Sequence, residues 1–202
     1  MEVSPSDVLD AWFGGHAPDD PATGDRQAKL WWGHADATDE ELRERFGEVH
    51  RAAAAGERDG WADTTSGRVA LVLVLDQLSR NLHRGTPGAF AQDAAARRWA
   101  RGAIEAGADR TAPFFHRVFL YMPLEHSESL RDQERCCRLF EALRDGCEEG
   151  PLRDKARAYL GFAQRHRDVV ARFGRFPHRN AILGRPSSAE ELRFLEGPGS
   201  SF

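Results

Sequence analysis

A chain of 202 residues, 41% apolar and 30% charged, has the length and hydrophobicity to fold around a core, which argues against disorder. Its formal charge of −4 excludes a global attraction to nucleic acid or anionic lipid, although 28 basic residues, all but two of them arginine, leave room for local basic patches. The longest apolar run, Val69 to Leu75, falls far short of the roughly 20 residues that span a bilayer.

Strand signals are nearly absent: no alternating β-branched or aromatic segments, and no Asn-Gly or Asp-Gly hairpin between apolar runs. Helix punctuation is frequent. Ser6 is placed to cap a short helix carrying Val8, Leu9, Trp12 and Phe13. Thr38-Asp39-Glu40-Glu41 reads as a capping box, opening a helix with Leu42, Phe46 and Val49 on one face and Gly56 at its close. The next helix starts at Thr65 or Ser66 and runs to about His83, where Arg84-Gly85-Thr86-Pro87-Gly88 breaks the chain.

A polar-faced helix follows over 91–106. Pro113 suits the first turn of another, which is expected to end near Pro123. Two more cover 129–148 and 152–173, stopped by Gly150-Pro151 and by Gly174. Ser188-Ala189-Glu190-Glu191 is a second capping box, before a short helix with Leu192 and Leu195. Short connections between such helices predict an all-α single domain of stacked antiparallel hairpins over residues 1–196, with a flexible tail over 197–202.

The three cysteines, Cys136, Cys137 and Cys147, form no CxxC pair, and the amino-terminal segment has neither the basic start nor the apolar run of a signal peptide. Both features lead us to expect a reducing, cytoplasmic setting with free thiols.

Three segments place charge among apolar residues. In the first, the all-apolar run ends in Asp76, Gln77, Arg80 and Asn81. Asp76 and Arg80 stand at i and i+4, so they share a face, either as an internal ion pair or as the lining of a polar pocket. In the second, Glu125, His126 and Glu128 follow the apolar stretch Phe114 to Leu120. A carboxylate beside an imidazole sets its tautomer and raises its basicity. The plainer reading makes Glu128 a helix-dipole partner and His126 a cap.

In the third, His166 falls on the ladder Leu152, Ala156, Tyr159, Leu160, Ala163, Val170 and Phe173 and so points inward. The same face leads into Arg175, His178, Arg179 and Asn180, whose arginine forks suit carboxylates or phosphates.

Taken together, Trp12-Phe13-Gly14, Trp31-Trp32, Leu75-Asp-Gln-Leu-Ser-Arg-Asn81, Arg84-Gly-Thr-Pro87, Phe119-Leu-Tyr-Met-Pro-Leu-Glu-His-Ser-Glu128 and Phe173-Gly-Arg-Phe-Pro-His-Arg-Asn-Ala-Ile-Leu-Gly184 resemble the bacterial family catalogued as domain of unknown function 924. The strings run in order over nearly the whole chain. The resemblance implies an all-α, tetratricopeptide-like fold and brings no catalytic residues with it. One departure is Leu78-Ser79, where the family pattern has Phe-Pro. Serine in place of a helix-breaking proline is expected to lengthen the helix locally.

Two functions follow as expectations. In the first, a polar inter-helix pocket acts on a small anionic molecule. Acid–base work falls to Glu125, His126, His166 and Glu128, and binding to Asp76, Arg80, Arg175, His178, Arg179 and Asn180. No HExxH or ExxH pattern supports a metal variant built on His126, His166 and His178, and no cofactor is implied. In the second, a tetratricopeptide-like surface binds a protein or peptide partner, with Trp31, Trp32 and Phe176 exposed.

Overall fold

The computed structural model describes residues 2–200, which form helices and the segments that connect them, with no strand among them. The helices are α1 (Pro5–Phe13), α2 (Pro21–Trp32), α3 (Asp36–Ala54), α4 (Thr65–Leu73), α5 (Ser79–Leu82), α6 (Asp93–Glu105), α7 (Phe114–Glu125), α8 (Leu130–Asp145), α9 (Pro151–Phe173) and α10 (Ala189–Leu195). A π-helical turn, Val74–Leu78, joins α4 to α5 without a break. Among the described residues no helix is long and apolar enough to cross a membrane.

The α4 run is the axis of the core, because each residue from Val69 to Leu75 is at most 1% exposed. A helix apolar on every face needs neighbours on every face. Helices α1, α6 and α7 pack against α4, and α3 packs against the π turn and α5. Helices α8 and α9, joined by residues 146–150, form a hairpin that closes on α7. Phe119 of α7 sits in an aromatic cluster with Trp12, Phe13 and Trp31, at centroid separations of 4.9 to 5.8 Å and steep interplanar angles. Such edge-on pairs contribute about 0.5–1.5 kcal/mol each beyond area burial.

Several boundaries differ from the sequence reading. Ser4, not Ser6, caps α1, forming a capping box with Asp7 ahead of Pro5. Helix α3 begins at Asp36 with no side-chain cap, so Thr38 lies inside its first turn. Asp39 instead accepts hydrogen bonds from Asn81 and Arg84. Helix α2 has no counterpart in the sequence reading. Asp20 caps it, and its buried Gly24 admits the Phe115 ring, which a β-carbon there would meet at 2.8 Å. Helix α7 continues through Pro123 to Glu125. A proline in the last turn removes one donor at a point where the helix is already ending.

The helix also runs on through Ser79 without a break, as expected of a serine at that position. Ser79 donates to the Leu75 carbonyl at 2.7 Å and meets His50 Nε2 at 2.8 Å. The second capping box holds: Ser188 and Glu191 cap α10 reciprocally. Of the tail expected over 197–202, Ser200 donates to the Leu195 carbonyl, while residues 201 and 202 lie outside the described residues.

Candidate functional site

Five segments deliver polar side chains to one place beside the core. They are the π turn (Asp76, Gln77), α5 (Arg80), the start of α6 (Asp93), the end of α7 (Glu125, His126) and, from α9 onward, His166, His178 and Arg179. A π turn widens a helix by one residue and re-aims the side chains that follow, a device frequent at functional sites. Here it directs Asp76 inward.

Asp76 is 1% exposed and saturated with partners. Its Oδ1 accepts from His126 Nδ1 at 2.8 Å and lies 3.2 Å from Arg80 Nη1. Its Oδ2 accepts from Gln77 at 2.6 Å. Burial alone would raise this carboxyl, but Arg80 and His126 hold it well below the usual carboxylate range. Asp76 is therefore ionised. Because a carboxylate only accepts, the His126 proton sits on Nδ1 and the lone pair on Nε2. Burial, aided by Arg80, pushes His126 down against the opposing pull of Asp76, which keeps the ring neutral.

Glu125 is in the opposite condition. It is 5% exposed, and burial together with the Asp76 charge pushes its carboxyl up to about 8. At neutral pH it carries its proton. Its Oε1 lies 3.3 Å from His166 Nδ1, which also donates to the Phe162 carbonyl at 2.9 Å. Burial pushes His166 down to about 3, so this contact joins two neutral groups and is not an ion pair. Gln133 of α8 fixes the end of α7 by donating to the carbonyls of Glu125 and Ser127.

The arginines form the second half of the cluster. Asp93 bridges them, with Arg80 Nη2 at 3.0 Å and Arg179 Nη1 at 3.1 Å. The Arg179 guanidinium also lies 4.6 Å from the centres of the Phe90 and Phe176 rings. Burial lowers Arg179 to about 10, against the pull of Asp93, and leaves it charged. Burial and the neighbouring Arg179 push His178 down to about 4.

The sequence candidates thus divide. Asp76, Arg80, Glu125, His126, His166, His178 and Arg179 converge. Glu128 does not join His126: it accepts two hydrogen bonds from Arg185, at 2.7 and 2.9 Å, and one from the Phe176 amide at 2.8 Å. Arg175, expected to hold an anion, pairs with Glu191 and the Pro186 carbonyl. Asn180 ties Ser187 to Arg185. These three brace the segment after α9.

Trp31 and Phe176, expected at the surface, are 6% and 0% exposed, because Trp31 donates to the Trp12 carbonyl from inside the aromatic cluster and Phe176 packs with Val169 and Val170. Trp32 is 44% exposed. Asp93 and Phe90 were missed. The only sequence signal for Asp93 was an acidic residue in a first helical turn, which reads as a dipole partner.

Two surface clefts lie elsewhere. One, of about 440 Å³, runs between Asp19, Phe114, Arg117 and Cys147. The other, of about 510 Å³, lies between Arg43, Glu48, His50 and His83. The polar cluster reaches solvent along the edge formed by Arg80, Asp93 and His126, whose side chains are 20%, 14% and 12% exposed. Among the described residues no group of three or more His, Cys, Asp or Glu is arranged to hold a metal.

No curated protein matches this chain. A solved structure titled as a protein of unknown function, ATU0120 from Agrobacterium tumefaciens, is 39% identical, covers 96% of this chain and 97% of its own, and superposes with a TM-score of 0.79. The model of the family described as bacterial protein of unknown function, DUF924, matches residues 8–199, and the chain belongs to that family.

Proposed function

We propose that this chain is an acid–base enzyme acting on a small anionic molecule at the edge where Arg80, Asp93 and His126 meet solvent. The observation that carries the reading is the 2.8 Å contact between His126 Nδ1 and the buried Asp76 carboxylate, next to a carboxyl group that keeps its proton. Adjacent groups whose surroundings push them to opposite protonation states are the usual sign of an acid and a base. His126 Nε2 is the proton acceptor. Asp76 holds the ring and stabilises the imidazolium that forms. Glu125 is the proton donor. Arg80 and Arg179 supply the hydrogen-bond donors for a negatively charged reactant, while Asp76 and Asp93 balance their charges.

The test is turnover of pooled small carboxylates and phosphates, followed by NMR. His126→Ala should lower any turnover found by at least about a hundredfold with the helical circular dichroism unchanged. Full turnover in that variant removes His126 from the chemistry.

A second reading, a helical module for a protein or peptide partner, rests on Trp32 and Phe162, which are 44% and 48% exposed. The Trp32 ring lies 6.1 Å from that of Tyr159, which stands three residues before Phe162 on α9 and so shares its face. Absence of turnover, together with a partner lost in Trp32→Ala, would favour it.

A further inference from the structure

Arg179 is 6% exposed, and the aromatic rings of Phe90 and Phe176 lie against its guanidinium. Such a guanidinium is approached along its edges. Nη1 is taken by Asp93 at 3.1 Å. The other edge, Nε with Nη2, makes no hydrogen bond to the described residues, and Nε is buried. A buried N–H without an acceptor is costly, and folded proteins seldom leave one so. The Nε/Nη2 edge presents two parallel donors, the spacing of a carboxylate's two oxygens.

The choice among anions follows from charge. The four ionised groups, Arg80, Arg179, Asp76 and Asp93, sum to zero, while Glu125, His126, His166 and His178 are neutral at pH 7. A phosphate dianion would enter with two uncompensated charges at a largely buried site. A carboxylate brings one, and desolvation disfavours the dianion more steeply. Aromatic rings beside the fork favour an acid with an apolar body.

We propose that the Nε/Nη2 edge of Arg179 is the docking fork for the carboxylate of a small monocarboxylic acid, held beside Phe90 and Phe176. The location rests on the proposed acid–base site, yet the fork is separable from it, because binding needs Arg179 and chemistry needs His126.

The probes are acetate, phenylacetate and inorganic phosphate, titrated into the full chain with the arginine Nε–H resonances followed by nitrogen-15 NMR. Phenylacetate should shift the Arg179 Nε–H signal more strongly than acetate, with phosphate weakest. Arg179→Lys, which keeps the charge and loses the planar fork, should bind phenylacetate at least about tenfold more weakly. Should that variant fail to fold, Phe90→Leu should still weaken phenylacetate relative to acetate. His126→Ala should bind phenylacetate like the wild type: full turnover in that variant overturns the acid–base reading alone, and retained binding leaves the carboxylate fork standing. Phosphate binding ahead of both acids, equal binding by Arg179→Lys, or no shift at the Arg179 signal would each overturn the proposal, the last showing that water alone satisfies the edge.

Discussion

His126 donates its Nδ1 proton to Asp76 at 2.8 Å, from a ring that reaches solvent to a carboxylate that does not. The same carboxylate lies 3.2 Å from Arg80. Removing it leaves Arg80 dependent on Asp93 and strips His126 of its orienting partner. Asp76→Ala should cost about 3 kcal/mol in urea melts, near the lower end for a broken buried pair, because Arg80 remains one-fifth exposed. A loss below about 1 kcal/mol would place the pair among ordinary surface ion pairs.

Glu125 gives the protein a pH signature. Its carboxyl titrates near 8 when folded against an ordinary 4.5, so between those values the folded chain keeps a proton that the unfolded chain has released. Stability must then fall as pH rises through that window. The buried histidines act oppositely: His50, His116 and His178 are pushed down to about 4, and His166 to about 3, from 6.5. Below 6.5 the unfolded chain binds the extra protons, and stability rises with pH until that point. Above it Glu125 is left acting alone. Stability should peak near pH 6.5 and decline toward pH 8, by at most about 1.4 kcal/mol per unit. Glu125→Gln should flatten the decline. Equal slopes in the two proteins would show that Glu125 is ionised in the folded state.

Asp93 shares its two oxygens between Arg80 and Arg179. Asp93→Ala leaves Arg179 buried with its charge uncompensated, at a cost of about 3–5 kcal/mol. Chloride should restore part of that loss by taking the vacated place, an effect opposite to ordinary screening. A variant equally unstable in chloride and in water would show that packing, not charge, is what Asp93 supplies.

The sequence reading located most helices because their signals are local. The apolar run at Val69 to Leu75, the ladder from Leu152 to Phe173 and the Ser188 box each specify structure without help from distant residues. Helix α2 escaped because its core side is made by Thr23, Gly24 and Trp31, two of them poor helix formers: Thr23 donates to the Ala17 carbonyl and Gly24 makes room for Phe115. The convergence of His126 on Asp76 was legible as a requirement that buried polar groups find partners. Which partner each finds was not. Glu128 beside His126 in sequence pairs with Arg185, and Asp93 on a polar-faced helix turns out to join two arginines. Those choices belong to tertiary packing.

Glu128 is the fastening of the segment that carries His178 and Arg179. It accepts from the Phe176 amide and from both ends of the Arg185 fork, and a second fork, Arg175 to Glu191, ties the segment to the start of α10. Apolar support is slight, a satellite core of Val169, Val170 and Phe176 backed by Phe173 and Phe194. Segments held by polar ties over a small core open locally before the molecule unfolds. Glu128→Ala should therefore cost only about 1–2 kcal/mol globally, since Glu128 is 29% exposed. Amides over 176–195 should meanwhile exchange with deuterium at least about tenfold faster, and those of α4 and α7 should be unchanged. Because Arg179 rides on this segment, phenylacetate binding should weaken in step with the lost protection. Uniform acceleration across α4, α7 and 176–195 would instead mean that the segment unfolds only with the whole chain, and that Glu128 is an integral part of the global fold.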